Sequence, residues 1–486
     1  MACCLIPDVL ALRAESHSSI STTVDADGEQ QMSLKAVTLR DTGKIGRRTQ
    51  PKPATIRPAN LKQLRQCLAP GSAYLPPFRP MGANSSSTDC TSATAGTVID
   101  MTAFDEIVNI DAYNDTAVVQ AGVRLGRLAS ALAEHGLEVA GSHDLMSRTV
   151  GGAVAGGCIG PSISNDGAFF ASQVLSMKLI TPAGRLLEVS RDKQNLLNAF
   201  RLSYGMLGVI VEVTLKVRPI SPFAVSHRRC SIAQFSAAAG NLSRTDIGIK
   251  FYLLPFRDRA YLDLRRYSPE ATSPHKLPWK IKDWGESTVL PQVFKSLNRI
   301  VPLSGVRYRI IDEISKMTQG IVNNRLVTSG SNSTALPNTD SAKPDSAPLQ
   351  YSTWMFPAAD FSIVVQAYQE FCIRTRKETG FRCDMPTVGF RLCRDRSALL
   401  SPSFEEPMFA LRAVSTQTRG WEDFAIDFGE FAQHWGGMPF FNQTRGLTPA
   451  YANQVFGSRL DFFRRMRLRI DPDDRMLNPF LMQYFR

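Results

Sequence analysis

A chain of 486 residues is longer than one ordinary core organises, so two domains are expected. Hydrophobic residues make up 43% and charged residues 21%, proportions that exclude a disordered or collagen-like chain. The formal charge of +12 invites a nucleic-acid partner, but the basic residues are dispersed. Their densest group, Arg464, Arg465, Arg467 and Arg469, shares a helical pattern with Leu460, Phe463 and Leu468, which predicts a solvated helix face or a surface attracting an acidic small molecule, and no DNA groove.

Residues 1–50 are polar, poorly periodic and rich in Ser, Thr and Asp, and read as a disordered extension. Met32 is a second candidate start, and Met1-Ala-Cys-Cys-Leu-Ile-Pro lacks the basic flank and long apolar core of a signal peptide. A strand is expected from Ala54 and a helix near 60–68. The following stretch, from Arg79 through Gly82 and Asn84 to Ser87, is small and hydroxyl-rich, a loop that offers clustered backbone N–H groups to an anion. Short strands are predicted at 96–100, 106–111 and 116–121, the last two joined by a turn at Tyr113-Asn-Asp115. Leu125, Leu128, Ala129 and Leu132 have the spacing of an amphipathic helix that Gly136 stops.

The densest glycine text runs from His143 to Gly160, with Gly151, Gly152, Gly156, Gly157 and Gly160 among small apolar residues. Such density lets a backbone turn sharply or press on a flat or charged ligand; a tight helix–helix contact or a flexible loop is the purely structural alternative. Strands follow at 173–181 and 186–190 around a turn at 182–184, and 208–217 reads as a buried β-branched strand. Pro219 and Pro222 then break the pattern. Beyond them a helix is predicted at 361–375 between strand-like runs, and 329–349 is a Ser-, Pro- and Asp-rich flexible insert. No Rossmann G-x-G-x-x-G is present, and no apolar run approaches the length of a membrane span. The nine cysteines lack C-x-x-C spacing, which predicts reduced thiols, no disulfide framework, no metal site and a cytoplasmic chain.

Taken together, the two loops resemble the FAD domain of the vanillyl-alcohol oxidase and p-cresol methylhydroxylase (PCMH) family. In that family a loop R-x-x-G-x-G-H-S wraps the pyrophosphate and a second, T-V-G-G-x-x-x-x-G-x-H-G, lies along the flavin. Here they read Arg79-Pro80-Met81-Gly82-Ala83-Asn84-Ser85-Ser86, and Thr149-Val150-Gly151-Gly152 through Gly157-Cys158-Ile159-Gly160. Similar turns flank them at Ala121 to Gly126 and Tyr204 to Ile210, so four motifs stand in the family's order. The resemblance implies an α+β fold: a two-subdomain PCMH-type FAD-binding domain over 51–222, an α/β cap over 223–445, and a segment over 446–486 that returns to the FAD domain. Asp471-Pro through Leu477-Asn478 looks like the D-P-x-x-x-x-L-N of that return. FAD is implied to be held by Pro80, Met81, Gly82, Ala83, Asn84, Ser85 and Ser86, by Thr149, Val150, Gly152, Ala153, Gly156 and Gly157, and by Ile210. Ser85 stands where many members place the histidine bonded to the flavin, so the FAD is expected to be noncovalent. His143 and Cys158 are read as structural.

Within the family the cap is most similar to the aldonolactone and alditol oxidases, D-arabinono-1,4-lactone oxidase among them, whose cap carries E-x-R and later H-W-x-K. These positions read Gly389-Phe390-Arg391 and His434-Trp435-Gly436-Gly437. The resemblance implies Arg391 facing the flavin and His434 as proton acceptor. Two glycines in place of a carboxylate and an ammonium match a polyol's hydroxyls poorly, so more room and a larger or less polar substrate are expected, with Met438, Phe440 and Phe441 beside it. The implied protein is an FAD-dependent oxidoreductase that takes hydride from a CH–OH or CH–NH group of a non-sugar or modified small molecule, oxygen being the acceptor. A dehydrogenase serving a quinone or carrier, gulono-lactone oxidase-like in kind, and a catalytically degenerate flavin-binding protein are the alternatives.

Overall fold

The computed structural model describes residues 53–141, 146–271, 276–321, 327–331 and 349–486, which belong to one unit spanning 51–486. Expectations for residues 1–50, for His143 and for most of the 329–349 insert concern residues outside the described set.

Asn60 caps the first helix, its side chain accepting from the N–H of Gln63 (3.0 Å). That helix, α1 (Leu61–Leu68), turns Leu64, Cys67 and Leu68 inward, the i, i+3, i+4 spacing of a half-buried helix. They pack on a parallel sheet of β1 (Ala54–Ile56), β2 (Phe78–Met81) and β3 (Thr97–Asp100), with β3 central and Phe78 and Ile99 buried. A hairpin of β4 (Ile107–Asp111) and β5 (Thr116–Gln120) follows. Asp111 accepts from the N–H groups of Tyr113 and Asn114, both at 3.0 Å, and fixes the turn. Next, α2 (Leu125–Glu134) buries Leu125, Leu128 and Leu132, and Gly136 ends it at φ 69°. After β6 (Leu137–Glu138) the glycine centre forms a short helix, α3 (Val150–Ala155).

β7 (Val174–Ile180) and β8 (Leu186–Ser190) make the next hairpin, α4 (Gln194–Phe200) packs against β8, and the β-branched run becomes β9 (Val209–Lys216). An antiparallel sheet of order β4-β5-β9-β7-β8 results, and β10 (Arg218–Pro219) pairs back to β6.

The rest is built on an eight-stranded sheet. Its strands are β11 (Phe223–Cys230), β12 (Gly248–Leu254), β13 (Arg259–Tyr267), β14 (Ser329–Gly330), β15 (Gln350–Pro357), β16 (Thr387–Leu392), β17 (Met408–Ser415) and β18 (Met438–Pro439), ordered β14-β11-β13-β12-β16-β17-β15-β18. Helices α5 (Ile232–Ser243), α9 (Phe361–Thr379) and α10 (Trp421–His434) share one face, over an aromatic layer in which Phe361 stacks on Phe409 at 4.3 Å and Phe251 meets Phe235 at 4.9 Å. On the opposite face lie α6 (Lys276–Trp284), α7 (Leu290–Ile300) and α8 (Ser304–Ile321), tied down where Lys282 Nζ meets Asp263 (3.0 Å) and the Tyr252 hydroxyl donates to Glu286 (3.0 Å).

The tail forms α11 (Pro449–Phe456), α12 (Ser458–Ile470) and α13 (Pro479–Phe485) and lies against the first sheet. Phe78 N donates to the Arg475 carbonyl (2.8 Å), and Asn478 Nδ2 donates to the carbonyls of Asp89 and Ser92, each at 2.7 Å. On α12 the arginines do not share one solvated face: Arg467 is buried and clamps Asp474 at 2.6 Å.

Candidate functional site

Two loops meet because one residue lacks a side chain. A Cβ on Gly82 would overlap Thr149 Oγ1, the same atom that accepts from the N–H of Gly152 (3.3 Å) at the start of α3. That start is pinned to the end of β5, with the N–H groups of Val150 and Gly151 donating to the carbonyls of Val123 and Ala121, each at 2.8 Å. Between the loops opens a cleft of about 790 Å³, its open mouth included. Tyr204, Gly205, Gly208 and Ile210 supply another wall, and Asn442 closes it from near the tail.

The structure brings eleven of the fourteen residues expected to hold FAD to this cleft: Pro80, Met81, Gly82, Ala83, Asn84, Ser85, Ser86, Thr149, Gly152, Gly156 and Ile210. Val150 and Ala153 point into the core behind α3, and Gly157, at φ 77°, stands against Phe440 with no room for a Cβ. Arg79 lies beneath the loop, fully buried. It donates to the carbonyls of Cys90 (2.8 Å), Met476 (2.5 Å) and Tyr204, and so joins the loop, the tail and the 204 turn; burial pushes its pKa down to about 10.

Arg148 is the one charged side chain among the described residues lining the cleft. Its Nη1 donates to the Gly157 carbonyl (2.9 Å), while its buried Nε, like the buried Oδ1 of Asn442, has no partner among the described residues. Among the described residues no acid lines the cleft, and burial raises the Cys90 thiol, which keeps it neutral. The N–H groups of Ala83 to Ser86 donate to no acceptor among the described residues. A glycine-walled slot, free N–H groups, one arginine and two orphaned polar atoms could hold a flat, anionic cofactor. Neither Arg148 nor Asn442 is in the sequence reading, although Arg148 adjoins the second motif.

The catalytic pair expected from the sequence is not at this cleft. Arg391 shares a sheet face with Gly389 and Phe251, the face that α5 and α9 cover, and it donates to the carbonyls of Ser243 (3.0 Å) and Ile247 (3.4 Å). His434 ends α10 exposed, its ring edge-on to Trp435. The glycines bring no extra room either. A Cβ on Gly389 would overlap the Phe251 ring, and one on Gly437 would stand 2.8 Å from the Ala432 carbonyl. Phe440 and Phe441 are core: Phe440 packs on Gly157 and Phe169, Phe441 on Phe456 and Phe485.

The opposite sheet face touches the wall of the cleft through one of its loops. There the Tyr351 hydroxyl donates to the Ser85 carbonyl, and Arg412 donates to Gln443 (3.0 Å), the neighbour of Asn442. Arg412 and Lys250 flank the Phe390 ring at 5.8 and 5.6 Å. Strand pairing sets this face, as Lys250 lies opposite Phe390 and Phe251 opposite Gly389.

Residues 52–190 match the family model described as an FAD binding domain. This chain carries an FAD binding domain. L-galactono-1,4-lactone dehydrogenase 1, mitochondrial, of rice is 34% identical to the flavoprotein over 167 residues, covering 33% of this chain and 27% of that protein. L-gulono-1,4-lactone dehydrogenase of Mycobacterium tuberculosis is 27% identical over 221 residues, covering 46% and 50%. The flavoprotein therefore spans between a quarter and a half of these curated relatives. Among solved structures, cholesterol oxidase from Brevibacterium sterolicum shares the fold at a TM-score of 0.71 and 14% identity, covering 89% of this chain and 94% of that one.

Proposed function

We propose that FAD lies noncovalently in the cleft and that the chain is an FAD-dependent oxidoreductase acting on a CH–OH or CH–NH group, with a non-sugar or modified small molecule as substrate. The observation that carries this reading is the meeting of the two family loops at one cleft, with the cap held to its wall by the Tyr351 hydroxyl on the Ser85 carbonyl. FAD, when bound, supplies the hydride acceptor. The N–H groups of Ala83 to Ser86 hold its phosphates, Arg148 adds the positive charge, and the edge of α3 presents glycine to the flat ring. Ser85 cannot form the linkage that a histidine makes there, and no described histidine lines the cleft.

The experiment is anaerobic mixing of the purified yellow protein with candidate alcohols and amines, then admission of air. Bleaching of the flavin band followed by fast recovery in air is the expected result. Absence of bleaching with every compound would sink the oxidoreductase reading and leave a flavin-binding protein. The two lactone relatives are named dehydrogenases, which favours a second reading in which a quinone or carrier is the acceptor. Slow recovery in air, with fast recovery on adding a quinone, selects it. A cytoplasmic location remains part of the proposal, and the rice relative is named mitochondrial.

A further inference from the structure

Large apolar side chains are exposed singly on most proteins, but here they cluster. Nine of the nineteen exposed large apolar residues among the described residues lie between Leu277 and Ile321. On α8, Val306, Ile310, Met317 and Ile321 fall at i, i+4, i+11 and i+15, within an arc of about 60° at 100° per residue. The helix docks by its other side, where Tyr308, Ile311 and Ser315 are buried. At the turn leading into it, Ile300 is 75% and Leu303 69% exposed. On α6, Leu277, Ile281 and Trp284 repeat the outward stripe at i, i+4 and i+7.

Residues 276–321 hold eight Lys or Arg against four Asp or Glu, a surplus of four positive charges on a chain already at +12. Exposed Lys280, Arg299 and Arg309 lie beside the apolar residues, whereas Asp312 and Glu313 are taken up by Arg257. An apolar stripe with a basic rim is the pattern of a helix lying in a membrane interface. No described helix is long and apolar enough to cross a membrane, so contact would be peripheral. A second copy would set one basic face against another.

We propose that the outer face of α6–α8 docks the protein on an anionic lipid bilayer. The test uses the full chain with FAD bound, sedimented with vesicles of phosphatidylcholine alone or mixed with phosphatidylglycerol. The native protein should follow the mixed vesicles, and salt should weaken the binding. Leu303→Ser with Ile310→Ser should lower partitioning by about tenfold or more, the scale of two withdrawn apolar side chains, with an unchanged flavin spectrum. Arg299→Glu with Arg309→Glu should lower it on the mixed vesicles alone. The proposal is overturned if the native chain stays in the supernatant with mixed vesicles, or if the serine pair binds as the native does. A native chain that ignores vesicles yet runs as a dimer, broken by the serine pair, would give this face to a second copy. One that ignores vesicles but binds an acidic protein would give it to a protein partner.

Discussion

At Gly82 the absence of a single methyl group lets two loops touch. Gly82→Ala forces the new Cβ onto Thr149 Oγ1 and disturbs the N–H bond that this atom accepts at the start of α3. We expect FAD binding weakened by about 1–3 kcal/mol, the cost of overpacking a tight site, with the cap unaffected. Titration of apoprotein with FAD measures it, and native affinity in the variant would show that the loops yield freely. Arg391 carries the opposite expectation. Its guanidinium serves two backbone carbonyls on the helix side of the sheet, so Arg391→Met should cost about 1–3 kcal/mol of stability by stranding those acceptors, and leave flavin reduction unchanged. Slowed reduction at native stability would return this arginine to the flavin.

Strands decide which residues of a motif face the site, and motif spacing does not carry that parity. In Gly389-Phe390-Arg391 the family's charged positions fall on the face that α5 and α9 cover while Phe390 takes the other, and only the pairing of β16 with β12 settles the side. The glycine loops were legible because their requirement is local, a close approach that few residues tolerate. Asn442, which closes the cleft, and Tyr351, which bonds its Ser85 wall, come from distant text, and no spacing rule collects them. At the edge of the same sheet, β11 and β13 form an acid-sensitive corner. His227 Nε2 donates to the Val327 carbonyl (2.7 Å), Nδ1 is buried without a partner among the described residues, and burial lowers its pKa, Lys282 and Arg265 adding to the effect against Asp263. For Asp263 burial acts upward, but Lys282 and Arg265 outweigh it and hold the carboxylate well below its usual range. Below 6.5, the ordinary histidine value, the unfolded chain binds more protons at His227 than the folded one, so stability falls with pH. The share of Asp263 is lost only in stronger acid, from 3.8 downward. Melting temperature followed against pH should therefore decline below neutrality in the native protein, and His227→Gln should flatten the first part of that decline. An identical slope in both proteins would place the acid sensitivity elsewhere.

Across the whole molecule, the cofactor cleft is assembled from parts that have no common neighbour in the chain: Arg79 joins the first loop to the tail, and the Tyr351 hydroxyl joins that loop to the cap through the Ser85 carbonyl. A ligand that orders the loop would, through the Tyr351 bond, also hold β15, and binding and cap rigidity would then be reciprocally linked. Amide hydrogen exchange over 350–357 should slow when FAD is added, and Tyr351→Phe should remove that response while FAD still binds. Exchange indifferent to FAD in the native protein would break the link. With FAD in the cleft as proposed, the bond from Tyr351 would make the flavin a latch as well as a reagent. Chains synthesised faster than flavin is supplied would carry a loosened cap and meet cellular proteases in that state, so cofactor supply would set how much of this protein persists.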